Sequence, residues 1–141
     1  MDEIDVKLLA ILAENARAPV ATLARDLDLA RTTVQARIER LERQGQIAGY
    51  TIRRGAAARP ALRATVLITI EPRAGPAVLT RLKTLPEVKQ VHTTTGRFDL
   101  IATLETASTE ALDAALDRIG EAKGVKSSES LIHLSTRIDR A

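Results

Sequence analysis

Between positions 31 and 54 this chain gathers side chains that can meet a nucleic acid. At about 100° per residue, Thr32, Thr33, Ala36, Glu39, Arg40 and Arg43 share one side of a helix, and Val34, Ile38 and Leu41 share the other. Threonine and alanine can meet a thymine methyl, and arginine can meet a guanine edge or a phosphate. Arg31, Gln35 and Arg37 lie on the same stretch, and Arg53 and Arg54 follow it. The candidate DNA-contact residues are therefore Arg31, Thr32, Thr33, Gln35, Ala36, Arg37, Arg40, Arg43, Arg53 and Arg54. An ordinary helical hairpin with a solvated charged face has the same periodicity, so the surroundings of this stretch must decide its meaning.

The elements that would hold these side chains are legible nearby. Val20, Leu23, Ala24 and Leu27 are spaced three and four apart, which predicts a short helix with one apolar face. Ala24 is small where two helices would cross. Asp28 falls in the turn, where aspartate tolerates a left-handed backbone. The second helix stops at Gly45, a suitable left-handed cap. Two short helices and a tight turn form the pattern of a helix-turn-helix, whose second helix enters the major groove. Ile4, Leu8, Leu9, Ile11 and Leu12 predict a further helix over residues 2–15, with Asp2, Glu3 and Asp5 in its first turn, where acids suit the helix dipole. Pro19 is expected in the first turn of the helix after it. Past Gly45, the residues Ile47, Tyr50 and Ile52 predict a short strand, from which Arg53 and Arg54 would reach DNA backbone as a wing does. Residues 1–54 are thus read as a DNA-binding domain. Residues 55–62, GAAARPAL, are read as a linker.

Charge favours the nucleic-acid reading. The net charge is only +3, but residues 1–30 carry −3, residues 31–60 carry +5 and the remainder carries +1. The positive charge therefore collects on the proposed recognition helix and the segment after it, as a phosphate-binding surface requires. Composition excludes several other classes. One Tyr and one Phe provide no stacking platform for single-stranded nucleic acid. The absence of cysteine excludes disulfides, zinc fingers and thiol nucleophiles. His92 and His133 are too few for a structural zinc site, so no metal and no cofactor are expected. No apolar run approaches the roughly 20 residues of a membrane span, and the start MDEIDVK is acidic, unlike a signal peptide. A cytoplasmic protein without a membrane partner is expected.

From residue 63 the periodicity changes. Residues 64–70, ATVLITI, predict a strand, and residues 75–85 a helix carrying Val78, Leu79, Leu82 and Leu85. Residues 88–95 predict a second strand, Gly96 and Arg97 a turn, and residues 98–104 a third strand. Ser108 is placed to cap a helix carrying Leu112, Ala115, Leu116 and Ile119, and residues 125–136 predict a fourth strand. The order βαββαβ predicts a ferredoxin-like domain over residues 63–141, with both helices on one face of an antiparallel sheet. The other sheet face is left to pack on a second subunit, so a homodimer is expected.

Four phrases in this order resemble the Lrp/AsnC family of feast/famine transcription regulators: IDVKLLAILAENAR, LARDLDLARTTVQARIERLERQGQIAGYT, TGRFDLIATLE and KGVKSSESLIHL. The resemblance spans essentially the whole chain. It implies an α+β protein with an N-terminal winged helix-turn-helix domain and a C-terminal βαββαβ effector and oligomerisation domain. It implies binding to double-stranded promoter DNA, modulation by an amino acid or related small metabolite, and homodimers that assemble to tetramers or octamers. The effector would sit between dimers, near Thr94, Thr95, Gly96, Arg97 and Asp99, with Ser127, Ser128 and Ser130 close by. Gly96 would let backbone approach the ligand, Asp99 would accept from an α-ammonium, and hydroxyls would bind the carboxylate; a β-turn with Asp99 bonded to its own backbone is the plainer reading.

The chain departs from the family at three points. Ala30 stands where a capping serine is usual, which costs about 1 kcal/mol unless the recognition helix starts later, at Thr32. Asp28 replaces a frequent glycine, and Phe98 replaces the tyrosine of the effector turn. An alternative within the same architecture is a sirohaem decarboxylase-like enzyme acting on a tetrapyrrole, for which His92 and His133 would be the candidates. The reading preferred here is a regulator and not an enzyme.

Overall fold

The computed structural model describes residues 1–140 and divides into two compact units, Met1–Arg54 and Gly55–Ala141.

The first unit is three helices, α1 (Glu3–Glu14), α2 (Val20–Leu27) and α3 (Arg31–Arg43). Leu8, Leu12, Leu23, Ala24, Val34 and Leu41 form its buried core, with Ile38 and Ile47 packed against it. No two of the helices could bury these faces without the third. Asp2 caps α1 through a capping box with Asp5. Pro19 is the N-cap of α2, one position before the first turn where the sequence placed it. Asp28 adopts φ +54°, and its N–H and that of Leu29 bond back to α2 carbonyls, which closes the tight turn. Gly45 follows α3 at φ +74°, the left-handed geometry that its residue type suggests. Helix α3 starts at Arg31 with extended Ala30 at the N-cap and no side-chain cap, so the later start at Thr32 does not occur.

The strand expected around Ile47, Tyr50 and Ile52 is not formed. Residues 48–55 have no regular structure, and Ile52 is exposed. A strand needs a ladder partner, and among the described residues unit 1 contains none, so no wing is built.

The second unit is β1 (Leu62–Ile70), α4 (Gly75–Lys83), β2 (Val88–Thr93), β3 (Leu100–Thr106), α5 (Thr109–Gly120) and β4 (Val125–Ile132), preceded by a 3₁₀ turn at Ala56–Ala58. The sheet order is β2-β3-β1-β4, entirely antiparallel. Alternate residues of the central strands, Ala64, Val66 and Ile68 with Leu100, Ala102 and Leu104, are buried against Val78, Leu82, Leu112, Ala115 and Ile119 of the two helices. Ser108 caps α5 by accepting from the Ala111 N–H.

Strand ends differ from expectation where the chain leaves the ladder. Thr94 and Thr95 do not extend β2, because the Thr94 N–H bonds to the Asp99 carbonyl and its hydroxyl donates to the Phe98 carbonyl, closing a wider turn. Strand β3 is shifted to start at Leu100 and runs on to Thr106, because β1 begins at Leu62 and pairs it there. Strand β4 stops at Ile132 and not at Thr136, because Ala64 is the last β1 residue to pair with it. Helix α4 ends at Lys83, short of Leu85.

Gly124 enters β4 at φ +98°, where its carbonyl accepts the Glu71 N–H. A Cβ there would lie 2.6 Å from the Ala74 Cβ, so both the backbone angle and the space require glycine. The sheet face away from the helices carries Thr65, Leu67 and Thr69, paired with Leu131, Glu129 and Ser127 on one side and Thr103 and Ile101 on the other. It is more polar than an apolar dimer face read from strand composition alone.

Candidate functional site

Two places carry functional side chains, and each lies within one unit. In unit 1, the helical repeat fixes which α3 residues face outward. Arg31, Thr32, Thr33, Gln35, Ala36, Glu39, Arg40 and Arg43 are exposed, whereas Val34 and Leu41 are buried. Thr32, Thr33, Ala36, Arg37 and Arg40 line a shallow concavity of about 400 Å³ on this helix. Gln35 donates to Glu39 one turn on, at 3.2 Å. Small side chains at the floor and arginines at one wall can take the edge of a base beside a phosphate.

The arginines do not behave alike. Arg37 Nη1 donates to Asp2 at 2.8 and 2.9 Å and to Asp5 Oδ1 at 3.0 Å. Arg40 Nη2 donates to Asp5 Oδ2 at 3.0 Å. Asp5 is only 1% exposed, while the Arg37 and Arg40 side chains are 20% and 44% exposed. Burial pushes the Asp5 carboxyl up, but hydrogen bonds from Arg37 and the Asp2 N–H outweigh this and leave its pKa below the usual value. The Arg37 hydrogen bond lowers Asp2, and the Asp2 and Asp5 hydrogen bonds raise Arg37. Among the described residues, Arg31 and Arg43 enter no ion pair. Arg53 lies away from any wing and donates to the Glu14 carbonyl at 2.9 Å, at the C-terminus of α1. Arg54 is engaged in interactions of its own.

Sequence reasoning assigned Asp2 and Asp5 to the helix dipole and missed this cluster. A signal was present. Asp5 shares the i, i+3, i+7 stripe of Leu8 and Leu12, and a carboxylate on an apolar stripe needs a buried partner.

In unit 2, the turn after β2 and the neighbouring strand ends come together at one end of the sheet. Gly96 sits at φ +98°, and the Arg97 guanidinium lies 5.1 Å above the Phe98 ring. The Asp99 carbonyl closes the turn with the Thr94 N–H, but its side chain does not bond to its own turn: Oδ2 accepts the Ile70 N–H at 2.9 Å, and the Asp99 N–H donates to the Ile68 carbonyl. Thr69 bonds to Ser127 through both the Ser127 hydroxyl and carbonyl. Ser127 therefore joins Asp99 and Thr69 at this end. Ser128 and Ser130 pair with Ile68 and Val66, so the pleat sends them to the opposite face from Ser127.

The two histidines are not brought together. His92 is on β2, while His133 lies past β4 with its Nε2 2.7 Å from the Thr65 hydroxyl. The sheet order puts two strands between them, roughly 14 Å at about 4.8 Å per strand. Among the described residues no cluster of three or more His, Asp or Glu could hold a metal ion, and no helix is long and apolar enough to cross a membrane.

Comparison with known proteins agrees with both halves. Residues 1–42 match the AsnC-type helix-turn-helix domain, and residues 63–141 match the Lrp/AsnC ligand binding domain. The chain is 31% identical to the HTH-type transcriptional regulator FL11 of Pyrococcus horikoshii, over 96% of this chain and 91% of that one. It is similar to the structure of E. coli AsnC, with a TM-score of 0.90 and 26% identity over 100% of this chain and 97% of the other. It is also similar to a feast or famine regulatory protein from M. tuberculosis complexed with L-methionine, with a TM-score of 0.87 and 32% identity over 99% and 95% of the two chains.

Proposed function

This chain belongs to the Lrp/AsnC family of transcriptional regulators, and on that premise we propose that it binds double-stranded promoter DNA through α3, under the control of an amino acid or related metabolite held by unit 2. The observation that carries the DNA reading is the outward row of Thr32, Thr33 and Ala36, flanked by arginines, on the second helix of a helix-turn-helix. Arg31, Gln35 and Arg43 lie exposed on the same helix, where phosphate contacts would fix its register, and Arg54 is proposed to add a further phosphate contact. The helical groove face is short, so two copies on a pseudo-palindromic site would supply the needed contacts. The sheet face carrying Leu67, Ile101 and Leu131 is the surface proposed for a homodimer, and further assembly to a tetramer or octamer is proposed from the family resemblance alone. A cytoplasmic location is part of the proposal, and no helix among the described residues is long and apolar enough to cross a membrane.

The effector site is proposed at the sheet end formed by Thr94, Thr95, Gly96, Arg97, Asp99 and Ser127, with Ser128 and Ser130 adjacent on the other face of β4. The relative solved with L-methionine supports an α-amino acid as the ligand class. Arg97 offers a cation to a carboxylate, and hydroxyls add neutral donors.

The test is a gel-shift titration of the purified protein against the duplex upstream of its own coding sequence. The expected result is a shifted band at low salt that weakens steeply as salt rises. Absence of any salt-sensitive shift at low salt, with and without each of the twenty amino acids, would overturn the DNA reading. A thermal-shift screen with the same amino acids identifies the effector as the one that raises the midpoint.

A further inference from the structure

The α3 arginines divide into two kinds, and the division originates at the other end of the unit's sequence. Arg37 is 35 residues from Asp2 and 32 from Asp5, and Arg40 is 35 from Asp5, yet four charge-assisted hydrogen bonds of 2.8–3.0 Å join the two pairs. Two carboxylates face two guanidinium groups, so the cluster is formally neutral. Asp5 is fixed by more than these bonds. Its Oδ2 also accepts the Asp2 N–H at 3.4 Å, and the Asp5 N–H donates to Asp2 Oδ1 at 2.9 Å. The carboxylates are thus part of the α1 cap, so moving them breaks the capping box. The arginines they hold form a wall of the concavity floored by Thr32, Thr33 and Ala36. Arg31 and Arg43, on the same helix, carry no such restraint among the described residues.

A mobile arginine favours any phosphate it can reach, because that contact carries no sequence information. A tethered, charge-compensated arginine contributes less to this general attraction. It keeps a fixed donor geometry toward whatever base edge enters the concavity. We propose that Asp5, assisted by Asp2, is a positioning residue for DNA recognition: it holds Arg37 and Arg40 as a rigid wall of the Thr32–Ala36 concavity and withholds their charge from non-specific phosphate binding. The proposal rests on the DNA-binding reading of α3 and adds to it the source of discrimination.

The experiment compares the full-length parent protein with Asp5→Asn and Asp2→Asn. The probes are a duplex enriched by the parent from a random-sequence pool and sheared bulk genomic DNA. Affinity is read across a salt series. Asp5→Asn is expected to bind bulk DNA several-fold more tightly and to lower the ratio of selected to bulk affinity about tenfold. Its slope of log affinity against log salt should steepen by about one to two, as one or two released arginines each find a phosphate at about 0.9 per contact. Asp2→Asn should change the same readouts in the same direction by less, because its side chain is 54% exposed and Asp5 still holds both arginines. If Asp5→Asn does not fold, Asp2→Asn decides alone. An unchanged salt slope with an unchanged affinity ratio in a folded variant overturns the proposal, as does equal weakening on both DNAs, which marks a merely structural role. Failure of the parent itself to bind either DNA sinks the underlying reading instead.

Discussion

The helix-turn-helix unit and the sheet unit build their sites in opposite ways. On α3, neighbouring side chains of one helix make the surface, and the helical repeat alone puts Thr32, Thr33 and Ala36 side by side. At the sheet end, Thr69 comes from β1, Ser127 from β4 and Asp99 from the turn before β3, and they are adjacent only because the register pairs Thr69 with Ser127 and brings Asp99 to Ile70. A site on one helix survives many changes elsewhere in its domain. A site assembled from strand ends depends on each element that fixes the register. Substitutions should therefore act more sharply on the second unit.

The largest expected effect breaks that comparison at its strictest point. Gly124→Ala adds a Cβ 2.6 Å from the Ala74 Cβ at φ +98°, which combines overpacking with left-handed strain. A loss of about 3 kcal/mol from the stability of unit 2 is expected. Urea titration of the variant checks it; an unchanged midpoint would show that the β4 entry is not constrained. The three-helix core of unit 1 shares no residue with that of unit 2, so its own transition should hold.

Asp99→Ala is the next test, because it separates structure from ligand binding. It removes the bond to the Ile70 N–H, and a loss of about 1 kcal/mol is expected for so exposed a group. The amino acid that raises the parent's thermal midpoint should no longer do so. If the ligand shift persists undiminished, the effector does not use this carboxylate.

Ala30→Ser sharpens the comparison from the other side. Ala30 already has the extended backbone of an N-cap, at φ −71° and ψ 148°, so a serine hydroxyl can accept from the first turn of α3 without rearrangement. A gain of about 1 kcal/mol in unit 1 is expected. No gain would mean that the first-turn N–H groups are already satisfied by solvent at no cost.

The smallest effect is acid sensitivity. Asp2 and Asp5 have pKa values below the ordinary range in the folded state, so their contribution is complete above about pH 4, the unfolded value. It is lost as pH falls through their lower folded values. Solvent screens the partly exposed Arg37 and Arg40 side chains and keeps the effect modest. The unit 1 transition, followed by circular dichroism below pH 4, should fall in Asp-containing protein and fall less in Asp2→Asn.

The fold was legible wherever a signal was local. Asp28 and Gly45 stand at left-handed positions as their residue types suggest, and Ser108 caps α5. Strand ends were less legible, since β2 ends at Thr93 only because Thr94 finds Asp99 and Phe98 across the turn. The strand expected from Ile47, Tyr50 and Ile52 shows the same limit: an apolar alternation describes one half of a ladder, and among the described residues of unit 1 the other half is missing.

By itself, the sequence determined the three helices, the βαββαβ order, the outward row of α3 and the concentration of arginine beside it. Those are consequences of periodicity and composition along the chain. Only the tertiary structure decided which arginines are held. Asp5 meets Arg37 and Arg40 because α1 and α3 share one core; its place on the Leu8/Leu12 stripe marks that a partner is needed, but local spacing does not say which residue more than thirty positions away supplies it. The same reason separates Ser127 from Ser128 and Ser130: three serines close in sequence are divided by the pleat, and the pairing with β1 decides which of them reaches Thr69.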